Sequence, residues 1–129
     1  MLPRALRLLP GMWAGMLLCI AALAAPAAFA VLPTAEAGKV VGHVFVREAW
    51  LSLALTAVLL WALRPRHAWL LWGTVLCTLL GYFAVQALMP AARAGQGVLS
   101  FGQLHLVSTV FYGLKTLLVL ALAWRTAGP

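Results

Sequence analysis

The sequence predicts an all-α protein of the polytopic membrane class, a four-helix transmembrane bundle. Three observations predict it. Apolar side chains make up 65% of the 129 residues, against roughly 45–50% in a soluble domain. The mean hydropathy is +1.04. Only 2 residues are acidic, Glu36 and Glu48, and a soluble surface needs far more charge than that. Lipid removes the need, because it solvates apolar side chains. The length allows a single domain.

The net charge is +7 and the pI about 10.9, values that suit a nucleic-acid binder. The distribution argues otherwise. Lys and Arg stand singly or in pairs between long apolar runs, as topogenic charges do. The expected partner is the lipid bilayer, and no nucleic acid is expected. Cys19 and Cys77 both fall inside apolar runs, which gives no disulfide framework.

The first apolar run covers 11–32, after Arg4 and Arg7. It exceeds the roughly 20 residues that cross a hydrocarbon core. Basic residues ahead of it, and Ala28-Phe29-Ala30 near its end, also fit a cleavable signal. The run is longer than a signal core, however, and the chain returns to the membrane at once, so an uncleaved span is expected. Pro33 stops this helix and Thr34 is placed to cap the next. Over 35–45 the pattern becomes amphipathic. Lys39, His43 and Arg47 recur every fourth residue and share one helix face. This segment is expected to lie in the interface and to lead into a second span at 46–63.

Arg64-Pro65-Arg66-His67 reads as a tight basic turn, because proline disfavours helix in the residue before it. A third span is expected at 68–89, then a glycine-containing loop with Arg93, then a fourth span at 101–124 followed by Arg125. Trp61, Trp69 and Trp124 fall at span ends, where aromatic belts form, and Trp72 lies a turn deeper. Arg4, Arg7, Arg64, Arg66 and Arg125 fall on one side, Lys39, Arg47 and Arg93 on the other. The positive-inside rule then places both termini in the cytoplasm, with the chain integral to the inner membrane.

Several short motifs carry a family likeness. The first span ends with Pro26 and Phe29. A-G-K-V-V-G-H-V-F follows, with Gly38, Lys39, Gly42 and Phe45. The last span opens F-x-x-x-H-x-x-S, with Phe101, His105 and Ser108. In these features, from Pro10 to Trp124, the chain resembles the bacterial branch of the transmembrane protein 205-like family, known also as domain of unknown function 4149. The resemblance implies a four-helix membrane protein with no established activity. The chain departs from the pattern at Arg47-Glu48, where a proline and an aromatic are expected.

Polar groups inside lipid are costly, so their placement is the best clue to function. His105, Ser108, Tyr112 and Lys115 are spaced three, four and three apart, which lines them on one face of the fourth span. Lys115 is the deepest charge. It is expected to pair with another helix or to snorkel, with a functional role as the sharper alternative. Glu48, His105 and Gln86 are expected just below the outer surface, near Pro26 and the backbone carbonyl that proline leaves without a donor. They form a candidate polar cluster: an interhelical clasp, or a His–carboxylate pair able to carry a proton. Ser52 and Thr56 continue the Glu48 face inward, and the third span offers Thr74, Thr78 and Gly81.

Gly11 and Gly15 form a G-x-x-x-G, continued by Cys19, Ala22 and Pro26. Small residues of this kind let helices approach closely, within a chain or between chains. Met12, Met16, Cys19 and Cys77 are soft donors that would suit Cu(I), though Met and Cys are also ordinary apolar fillers. No phosphate loop, G-x-S-x-G or H-E-x-x-H occurs, and there is no Asp. No catalysis and no cofactor are expected. The leading expectation is a structural or accessory component acting through helix contacts, as a homo-oligomer or in a larger membrane complex. The alternatives are a small transporter or ion-permeation protein using the buried stripe, and soft-metal binding.

Overall fold

The computed structural model describes residues 3–63 and 65–128. Four long helices form it: α1 (Arg4–Val31), α2 (Thr34–Ala62), α3 (Pro65–Arg93) and α4 (Phe101–Ala127). Each is long and apolar enough to cross a membrane, and no strand occurs among the described residues. The chain is an integral membrane protein of the four-helix class. Arg64 of the basic turn lies outside the described residues; Leu63 is extended and Pro65–His67 makes one 3-10 turn.

The second span differs from its expected form. α2 is one continuous helix of 29 residues, so the segment at 35–45 runs into the second span without a break. Lys39, His43 and Arg47 do share an exposed face, but that face belongs to the membrane helix itself. At 1.5 Å per residue the helix is roughly 43 Å long, so it reaches past a hydrocarbon core of about 30 Å. Thr34 opens the helix without a side-chain cap.

The cap that forms is at α4. Ser100 Oγ accepts from the Gln103 N–H at 3.2 Å, while Gln103 Oε1 accepts from the Ser100 N–H at 2.9 Å. This reciprocal box satisfies two backbone donors left over at the helix start. Two residues past the end of α3 comes Gly95, whose φ of 72° is open to glycine at little cost.

Both α1 and α3 widen to a π turn, at Ile20–Ala24 and Leu79–Ala84. The first precedes Pro26, whose missing N–H and ring disturb the preceding turn, and a wider turn absorbs that mismatch.

Neighbours pack in the ring order α1–α2–α3–α4, so α2 faces α4 across the diagonal. Packing is uneven along the bundle. At the end that carries both termini, all four helices meet around Trp13, Leu17, Leu59, Leu70, Val119 and Leu122. Lipid is as apolar as leucine, so this core holds by dispersion and fit rather than by escape from water. At the opposite end the bundle divides into two pairs. The second half of α1 packs on the start of α2, and the second half of α3 on the start of α4, with little contact between the pairs. Val85, Met89 and Leu104 form the smaller core of the latter pair. Trp61, Trp69 and Trp124 are exposed near the termini, and Arg125 lies 5.7 Å over the Trp69 ring.

Candidate functional site

Where the bundle begins to divide, its centre is charged. Glu48 is the midpoint of α2, and Lys115 lies next to the midpoint of α4. Their relative exposures are 3% and 2%, and Lys115 Nζ lies 2.6 Å from Glu48 Oε1. A lysine at mid-membrane costs about 2.5–3.5 kcal/mol on insertion scales, and a carboxylate at contact distance offsets much of that. Of the two readings of Lys115, pairing is the one the structure realises.

The same oxygen also accepts from Ser52 Oγ at 2.6 Å, and Ser52 in turn accepts from the Trp13 indole N–H at 3.0 Å. The pair is thereby tied to α1. Thr56 Oγ1 lies 2.7 Å from the Ser52 carbonyl and 3.2 Å from Thr74 Oγ1 of α3, and its one proton can go to either acceptor. Thr74 and Thr78 donate to carbonyls one turn back. Thr74→Val should remove the α2–α3 hydroxyl contact at nearly constant shape. A loss of about 0.6–1.7 kcal/mol is expected in a reversible unfolding titration in mixed micelles.

Tyr112 completes the frame. Its hydroxyl donates to the Leu17 carbonyl of α1 at 2.7 Å, and its ring meets Phe45 of α2 edge-on at 5.4 Å. Lys115 Nζ stands 5.3 Å from the Tyr112 ring centroid, close enough for the cation to be attracted by the ring face. Beside the ion pair is a small cleft of about 20 Å³, lined by Glu48, Cys77, Tyr82, Ser108, Tyr112 and Lys115, with Phe45, Thr78 and Gly81 completing the wall. That is room for about one water molecule.

The expected cluster of Glu48, Gln86 and His105 does not form. Gln86 and His105 are exposed, and His105 stacks on Phe101 at 6.5 Å. The reason is depth: with α2 starting at Thr34, Glu48 sits a dozen or so residues inside the helix, level with Lys115 rather than His105. Pro26 is also exposed, on α1 away from this site. Of the α4 stripe, Ser108, Tyr112 and Lys115 reach the cleft. Trp13 is the member that sequence reasoning missed; nothing in a lone tryptophan says which way its indole N–H will turn.

Gly11 and Gly15 are exposed, and a Cβ on either would meet nothing within 4 Å. They pack against no helix of this chain. Met12 and Cys19 are exposed, Met16 is half-buried and Cys77 is buried. Among the described residues no group of three or more His, Cys, Asp or Glu is placed to hold a metal ion.

Fold and site together define a polytopic helical membrane protein with an ion pair at mid-depth. A family model described as Domain of unknown function (DUF4149) matches residues 8–97, and the chain belongs to that family. The match takes in most of α1 and all of α2 and α3, so Glu48 lies within it and Lys115 beyond it. No curated protein and no solved structure matches the chain.

Proposed function

We propose that this protein is a non-enzymatic accessory component of the inner membrane, working through lateral helix contacts with a second copy or a larger complex. The charge distribution supports cytoplasmic termini, and the Gly38-Lys39, Gly42 and Phe45 motif supports a likeness to the transmembrane protein 205-like branch. One observation carries the reading. The small-residue stripe of α1, Gly11, Gly15, Cys19, Ala22 and Pro26, is exposed along its whole length. A stripe that lets helices approach closely, with open space over Gly11 and Gly15, suits a helix from elsewhere.

Arg47 adds the chemistry of that partner. It is exposed near the middle of α2 and has no ion-pair partner among the described residues. Glu48 beside it is committed to Lys115. An arginine at this depth favours a partner helix that brings a carboxylate to the same level.

Gly11→Leu combined with Gly15→Leu tests the reading. Open space lies over both positions, so the fold and its unfolding midpoint should be unchanged. Association, read by in-membrane cross-linking or single-molecule photobleaching, should weaken roughly tenfold, about 1.4 kcal/mol. His105→Ala should leave association alone. Intact assembly in the double glycine variant would remove the proposal.

A further inference from the structure

We propose that the mid-depth cleft is a binding site for a small monovalent anion of halide size, which Glu48 fills with its own carboxylate. The inference does not rest on the accessory reading. It starts from the donors. Tyr112 and Thr78 spend their hydroxyls on the carbonyls of Leu17 and Thr74. Ser108 and Tyr82 line the same cleft, and among the described residues neither hydroxyl has a hydrogen-bond partner. Cys77 and Lys115 line it too. Residues that carry donors thus line the cleft from α3 and α4, and its one acidic residue is Glu48.

A structural clasp needs the ion pair alone. It does not need free hydroxyls and a water-sized space beside it. An anion does: the ammonium supplies the charge, and hydroxyl donors replace its hydration shell. The wall on α3 is the π turn at Leu79–Ala84, which carries Gly81 and Tyr82, and such turns occur frequently at functional sites.

Lys115 cannot stay charged at this depth without a counter-ion. While Glu48 supplies it, an external anion is excluded. Once Glu48 is neutral, Lys115 keeps its charge only by recruiting one, and otherwise gives up its proton. The probe is bromide against gluconate at matched ionic strength, with thermal unfolding of the purified full chain in detergent as the readout. Wild type should show no difference between the salts. Glu48→Gln should show a saturable upward shift of Tm in bromide. Glu48→Gln combined with Lys115→Met should lose that shift. No bromide response in Glu48→Gln overturns the site, and so does a response that survives the loss of Lys115.

Should Glu48→Gln fail to fold in gluconate, the yield of folded, monodisperse protein becomes the readout. Recovery when it is purified in bromide supports the site. Failure in both salts overturns it.

Discussion

Lys115→Met should cost about 3–5 kcal/mol of stability, the range for breaking one side of a buried ion pair. The variant keeps the volume of the stem and removes the ammonium. Glu48 is then left 3% exposed at mid-bundle, with Ser52 as its remaining partner. The consequence extends beyond α4. The Glu48–Lys115 contact and the Phe45–Tyr112 edge contact bridge the bundle diagonal, so α2 should loosen from α4 while the termini-end core of Trp13, Leu59 and Leu122 persists. Hydrogen exchange should report this as faster exchange around Phe45 and Tyr112 than around Leu59 and Leu122. Uniform exchange across both regions would mean that the pair does not organise this level of the bundle.

Gly81→Ala should have the second largest effect. Gly81 is buried, and a Cβ there would overlap the Cβ of Phe111 on α4. That atom is fixed to the α4 backbone, so no side-chain rotation relieves the overlap and α3 must move away. Overpacking of this kind costs about 1–3 kcal/mol. Because Gly81 lies in the cleft wall, the displacement also widens the space beside Lys115. A second change, Phe111→Ala, keeps the offending Cβ and should not restore stability. Rescue by Phe111→Ala would show that the ring, not the backbone approach, sets the spacing. Gly73→Ala offers a contrast: its Cβ would meet the Leu118 side chain, closest at Cδ1 at 2.9 Å, the far end of a flexible side chain, and should be tolerated.

The architecture was legible in the sequence because its signal is coarse. Four apolar runs separated by Pro33, Pro65 and the Gly95–Gly97 region are enough to count helices. The start of α2 was not legible. Lys39, His43 and Arg47 imitate an interfacial helix, since a periodic polar face is the same pattern whether the helix lies on the membrane or enters it. That single ambiguity propagated. With α2 begun at 46, Glu48 looks shallow and His105 looks like its neighbour. With α2 begun at Thr34, Glu48 is central and Lys115 is its neighbour.

The α4 periodicity correctly grouped Ser108, Tyr112 and Lys115, because side chains three and four apart share a helix face. It also swept in His105, which lies beyond the point where the helix pairs part. Trp13 could not be placed, because its bond to Ser52 depends on the rotation of α1, which no pattern in the α1 sequence fixes. The outward face of Gly11 and Gly15 was undetermined for the same reason: small residues mark a close approach without saying which helix approaches.

Glu48 and Lys115, in contact at 2.6 Å, should be energetically coupled across the bundle. A double-mutant cycle measures the coupling most directly. Glu48→Gln, Lys115→Met and the double variant would be unfolded reversibly under one set of conditions, in gluconate so that no small anion stands in for the carboxylate. The account predicts that the double variant is far less destabilised than the two single losses summed, with a coupling of about 2 kcal/mol or more. Additive losses, with coupling near zero, would contradict it.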